Sequence, residues 1–173
     1  MAVAVLLAPG ASGTIAGLRG HIRALAEHGI EAHAVQLPRG SAERAIPVYR
    51  KALSRRPLGG TVIGGHSFGG RVASLLAAET PPLGLVLLSY PLHRPGNPDS
   101  WKDRTSHWRR IECPVLVLSG DADPFARIEL LREAVRQLPQ HELVTYPGIR
   151  HGIGPVLEDA MQRVAAWLAG ITP

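Results

Sequence analysis

The chain has a single cysteine, Cys113, so no internal disulfide can staple it and its stability must come from a packed core. Cys113 precedes Pro114 at the head of an apolar run and reads as a small buried hydrophobe. Aromatic residues are scarce, with two Phe, three Tyr and three Trp, which removes the stacking platform that single-stranded nucleic acid needs. Lysine is nearly absent too: Lys51 and Lys102 are the only two, and the formal charge of +5 rests on arginine. The arginines are scattered, Arg55-Arg56 and Arg109-Arg110 being the densest clusters. With no basic stripe, no nucleic-acid partner is expected. No apolar run approaches the roughly 20 residues that span a bilayer, so no membrane partner is expected either. Residues 3–8 lack the positively charged segment that opens a secretory signal, and with a lone cysteine a cytoplasmic location is the expectation. The eight histidines show no clustered ligand spacing. His141-Glu142 lacks the second His of His-Glu-x-x-His, so no metal site is read.

What is present is an ordinary globular composition, with 45% hydrophobic residues over 173 positions, enough for one domain spanning 1–173. Short apolar runs alternate with amphipathic segments. Strands are expected at 3–8, 31–36, 61–66, 83–89, 114–119 and 142–146. Helices are expected at 14–29, with Ile15, Leu18, Ile22 and Leu25 at helical spacing, and at about 41–55, 68–79, 125–138 and 155–168. Pro47 suggests a late start or a kink in the second of these. Apolar strands separated by helices indicate an α/β fold: a six-stranded, mainly parallel sheet with helices on both faces. Residues 90–111, rich in Pro, His, Trp and charge, break the alternation. A segment that long without regular structure is more often functional than idle.

Ligands of open α/β sheets bind beyond the carboxyl ends of the strands. After the strand at 61–66 comes Ser67, in Gly65-His66-Ser67-Phe68-Gly69. A nucleophile on a sharp strand-to-helix turn needs strained angles and small neighbours two residues either side, which Gly65 and Gly69 supply. With 19 glycines, Gly-x-Ser-x-Gly arises by chance in roughly one chain in ten of this composition. Its position between strand and helix makes it specific. A serine hydroxyl needs a base. The strand at 114–119 ends in Gly120-Asp121-Ala122-Asp123-Pro124, and the strand at 142–146 is followed by Arg150-His151-Gly152. The order Ser67, Asp, His151 then supplies a nucleophile, a carboxylate that orients the imidazole, and a general base. Asp123 is preferred and Asp121 is the fallback, the other serving as a turn or cap residue. The oxyanion hole is expected at the backbone N–H groups of Phe68 and of Ala11, in the loop after the first strand. This chemistry requires no cofactor.

These residues resemble the α/β-hydrolase superfamily over nearly the whole chain. The likeness is nearest to a compact, lidless branch close to the dienelactone hydrolases, whose animal relatives include testis-expressed and chromatin-complex proteins. It is carried by Gly64-Gly65-His66-Ser67-Phe68-Gly69-Gly70-Arg71, Ser89-Tyr90-Pro91-Leu92-His93, Arg104-Thr105-Ser106-His107, Gly120-Asp121-Ala122-Asp123-Pro124-Phe125 and Arg150-His151-Gly152. Larger members begin with two antiparallel strands and carry a lid after the sixth strand. By this resemblance the chain is expected to start at the third strand, with residues 90–111 in place of the lid, and its Pro9 stands where many relatives have the His of a His-Gly oxyanion motif. The resemblance implies hydrolysis of a small-molecule ester or thioester through an acyl-Ser67 intermediate, with His66, His93, Arg104, His107 and Trp108 as candidate substrate-binding residues. The competing reading of the 90–111 segment is a surface loop held by Trp101 and Trp108 packing. An exposed sheet edge would favour a homodimer.

Two other functions fit parts of the pattern. A nucleotide-binding protein would use Gly10, Gly13 and Gly17 after the first strand, with Arg39 meeting a 2′-phosphate, but the glycine spacing departs from the dinucleotide fingerprint. A hydrolase fold serving only as a binding module is the other, since fold alone does not fix function.

Overall fold

A computed structural model describes residues 3–172. Six strands form one sheet: β1 (Ala4–Ala8), β2 (Glu31–Ala34), β3 (Thr61–His66), β4 (Gly84–Leu88), β5 (Val115–Gly120) and β6 (His141–Tyr146). Their order is β2-β1-β3-β4-β5-β6, and every neighbouring pair is parallel. The register aligns Ala8 with Gly65, His66 with Leu88 and Gly120 with Tyr146, so the carboxyl ends gather along one side of the molecule. The chain passes from β1 outward to β2, then returns across β1 to β3. That reversal opens a crevice beyond the ends of β1 and β3, where open α/β sheets take their ligands.

Helices α1 (Arg19–Glu27) and α6 (Leu157–Ile171) cover one face. Against them pack Val5, Leu7, Val62, Val86, Leu88, Leu116 and Leu118. The alternate residues Leu6, Ile63, Leu85, Leu87, Val115 and Val117 face the other way. They meet α2 (Ala42–Leu53), α3 (Phe68–Ala77) and α5 (Ile128–Ala134). The period-two alternation of a strand with two apolar faces therefore gives two cores, which is why the central strands read as unbroken apolar runs. Among the described residues no helix is long and apolar enough to cross a membrane.

Several boundaries differ from the sequence reading, for local reasons. The helix expected from residue 14 begins as a 3-10 turn, Ile15–Leu18, and becomes α-helical at Arg19. Ile15 is consequently exposed rather than part of the apolar stripe. Helix α2 starts at Ala42, capped by Ser41 Oγ accepting from the Arg44 N–H, and Pro47 sits inside it rather than delaying its start. Helix α5 starts at Ile128, because the N–H of Phe125 turns back to the Asp123 carboxylate and that of Ala126 to the Asp123 carbonyl. The 90–111 segment contains a short helix, α4 (Trp101–Thr105), and is no lid. Tyr90, Leu92, Trp101, Trp108 and Ile111 all join the core, with Trp108 edge-on to Tyr90 at 5.0 Å between ring centroids.

The buried Tyr49 ties α2 to the sheet just before the crevice. Its hydroxyl proton is shared between Gly64 O at 2.6 Å and Leu6 O at 2.8 Å, and its oxygen accepts from the Gly64 N–H at 3.0 Å. Tyr49→Phe strands these backbone groups and is expected to lower unfolding free energy by about 1–3 kcal/mol. A shift in the urea midpoint at unchanged slope checks this.

Candidate functional site

Ser67 stands between β3 and α3 with φ 49° and ψ −115°, a backbone conformation that L side chains rarely adopt. The glycines around it explain how the turn closes. A Cβ on Gly65 would lie 2.5 Å from the Ala8 carbonyl oxygen, and one on Gly69 would run into the Ala8 backbone. Their absence lets α3 approach the ends of β1 and β3 closely, and the Ser67 N–H donates to Leu88 O at 2.9 Å. Phe68 follows as the first residue of α3, where a backbone N–H has no acceptor within the helix.

Two further loops converge on this point. The Asp123 carboxylate, 3% exposed as a residue, follows β5. His151 follows β6, and its Nδ1–H donates to Asp123 Oδ2 at 2.8 Å. On the other side of the ring, Ser67 Oγ–H donates to His151 Nε2 at 2.9 Å. The second carboxylate oxygen, Asp123 Oδ1, accepts from the Phe125 N–H at 2.8 Å, and the Phe125 ring packs on His151 at 4.5 Å between centroids. Asp121 points elsewhere: its Oδ1 accepts from the Gly148 N–H at 2.7 Å and braces the turn after β6. The histidine loop is further tied down by Ser89, the other non-glycine residue of positive φ among those described. Its buried Oγ accepts from the Gly152 N–H at 3.1 Å. Gly120 has no room for a Cβ against the Ile149 carbonyl, so the end of β5 and the histidine loop are in direct contact.

These groups open into a cavity of about 820 Å³, within the size range of small-molecule sites. Ser67, Phe68, Ala11 and His151 line it, as do His66 and Arg104. Gly10, Gly13 and Gly17 line it as well; the first two precede a 3-10 turn and Gly17 lies within it, so the glycines do not lead directly into an α-helix. Three residues read as substrate-binding lie elsewhere. His93 is buried; its Nε2 accepts from the Arg127 N–H and its Nδ1 donates to Arg94 O. His107 is buried and donates from Nε2 to Ser74 Oγ at 2.8 Å. Trp108 is fully buried. The inward fold of the 90–111 segment turns these three toward the core, away from the cavity.

The sequence reading missed His21, which lines the cavity from α1 with both ring nitrogens buried and without a partner among the described residues. The available signal was a polar residue at the three- and four-residue spacing of Leu18 and Leu25, on an apolar helix face. His66 likewise has a buried, unpartnered Nε2. Burial, with His151 and His21 beside it, pushes the His66 imidazole down to about 4, so it stays uncharged at neutral pH. Burial lowers His21 as well.

Residues 40–166 match the family described as an alpha/beta hydrolase domain, and the chain belongs to that family. Solved structures share its fold at low identity. A monoacylglycerol lipase from Paleococcus ferrophilus is 19% identical, with a TM-score of 0.82 over 97% of this chain and 94% of that one. Est1E from Butyrivibrio proteoclasticus is 17% identical, with a TM-score of 0.79 over 98% of this chain and 88% of that one. A predicted CIB-like hydrolase from Thermoplasma acidophilum is 17% identical, with a TM-score of 0.78 over 97% of this chain and 86% of that one.

Proposed function

We propose that the protein is a serine hydrolase that cleaves a small-molecule ester or thioester through an acyl-Ser67 intermediate. One observation carries the reading: a continuous Ser67–His151–Asp123 hydrogen-bond chain at 2.9 and 2.8 Å, opening into a cavity of small-molecule size. In the proposed cycle, Ser67 Oγ attacks the substrate carbonyl carbon and its proton passes to His151 Nε2. Asp123 holds the ring with its proton on Nδ1, leaving Nε2 free to accept. The carbonyl oxygen, now anionic, is met by the Phe68 and Ala11 N–H groups. As the tetrahedral intermediate collapses, the bond to the leaving group breaks, and His151 returns the proton to the departing oxygen or sulfur. Water then gives a proton to His151 and attacks the acyl carbon. The acid is released and Ser67 recovers its proton. The uncharged state of His66 supports this scheme, because a second imidazolium beside His151 would oppose charge building on it.

Covalent labelling with a fluorophosphonate probe tests the reading. The wild-type chain is expected to label stoichiometrically and Ser67→Ala not at all, with both folded by circular dichroism. A folded wild type that does not label rejects a Ser67 nucleophile.

A further inference from the structure

Arg71 is not explained by the proposed cycle. It sits four residues after Ser67, one turn along α3 on the same helix face, and lines the same cavity. Its Nε is buried without a hydrogen-bond partner, and it has no ion pair among the described residues. Arg104 lines the cavity too and is held at both ends: Tyr90 Oη donates to its carbonyl at 2.8 Å, and its own Nη1 donates to Pro91 O at 2.9 Å. It also has no ion pair among the described residues. A guanidinium carries five donors, so most of those on both residues remain to be used. Burial, then the charge of Arg71 and of Arg94, lowers Arg104 from its ordinary value; this is the response of a cation beside other cations. Fixing two like charges in a half-buried wall is unfavourable unless an anion arrives between them.

We propose that Arg71 and Arg104 form a subsite for the carboxylate of the substrate, so that the preferred ester carries one free carboxylate near the scissile carbonyl. This deepens the hydrolase reading and rests on it. The charge of the lining favours a monoanion over a dianionic phosphate. Its fixed charges are Arg71, Arg104 and a single acid, Glu43, which leaves one net positive charge. Glu43 is occupied by the Ser41 hydroxyl, which donates to it at 2.5 Å. The far side of the two arginines borders a smaller hollow of about 330 Å³, where Arg94, Asp99 and Asp103 lie. Ser67 and Arg71 stand one turn apart on the same helix face and line the same cavity, so a short dicarboxylic half-ester is the probe of choice.

The test compares the p-nitrophenyl half-ester of glutarate with its uncharged methyl-capped counterpart, on the full chain at low ionic strength. The expected kcat/KM ratio is about 10- to 100-fold in favour of the charged ester, the range that charge-assisted hydrogen bonds supply. Arg71→Gln and Arg104→Gln are each expected to bring that ratio toward unity, and Arg71→Glu to invert it. Because each variant is its own control, a general loss of activity leaves the ratio readable, and Arg104→Gln serves if Arg71 variants do not fold. A wild-type ratio near one, with Ser67-dependent turnover of both esters, overturns the subsite and leaves the hydrolase reading standing. So does a high ratio that neither glutamine variant lowers. No turnover of either ester, together with no fluorophosphonate labelling, overturns both.

Discussion

Asp123→Asn is expected to reduce kcat for a p-nitrophenyl ester by about 10⁴-fold, the size a wrong histidine tautomer produces in serine triads. The local geometry dictates how the new amide would sit. The Phe125 N–H requires an oxygen at the Oδ1 position, so the amide oxygen stays there and the NH₂ group takes the place of Oδ2. That NH₂ faces His151 Nδ1 and donates to it. The imidazole proton then moves to Nε2, where it points at Ser67 and leaves no lone pair to accept the hydroxyl proton. Asp121→Asn is the matched comparison. Asparagine keeps an oxygen for the Gly148 N–H, and exposed substitutions of this kind stay within about 0.5 kcal/mol. Its kcat is expected within a factor of about two of wild type. Turnover of Asp123→Asn within tenfold of wild type would place the orienting acid elsewhere.

The second large effect concerns stability against pH. His107 is 5% exposed, and burial followed by the charges of Arg71 and Arg110 pushes it down to about 4 from an ordinary 6.5. Between those values the unfolded chain binds a proton that the folded chain refuses. Stability from this group is therefore fully present above about 6.5 and is lost as the pH falls toward 4. Going from pH 7 to pH 5 should cost about 2 kcal/mol through His107 alone. Urea midpoints measured at both values are expected to fall together with this loss. His107→Gln should remove that share of the dependence and leave the part carried by the buried His66 and His21, even though it is less stable at pH 7 for want of the ring that meets Ser74. A pH dependence identical in the variant would show that other groups carry it.

What the sequence made legible follows the reach of each signal. The strand–serine–helix turn was readable because its requirement is local: Gly65 and Gly69 are small where the backbone of β1 passes. Asp123 and His151 were readable as strand-end residues because parallel strands deliver their carboxyl ends to one side. The choice between Asp121 and Asp123 was open in sequence because both follow β5. In the fold, Asp123 is the carboxylate that meets the Phe125 N–H and the His151 ring, while Asp121 meets the Gly148 N–H. The 90–111 segment misled because its histidines and tryptophans look like pocket residues. The histidines are held inward by long-range partners, Ser74 for His107 and the Arg127 N–H for His93, and the tryptophans by apolar packing, none of which a local pattern reveals. Arg71 was missed as a cavity residue for the opposite reason: it lies on a regular helix, where a charged side chain ordinarily faces water.

The left-handed backbone at Ser67 has a bearing on any effort to harden this protein. Glycine adopts that conformation without the crowding of a Cβ, so Ser67→Gly removes strain of about 1–3 kcal/mol. A library enriched only for survival of heating would therefore accumulate that substitution and return a sturdier protein without the proposed nucleophile. Heat resistance and turnover have to be selected together in this fold, because the residue that is proposed to react is also one whose loss makes the chain easier to fold.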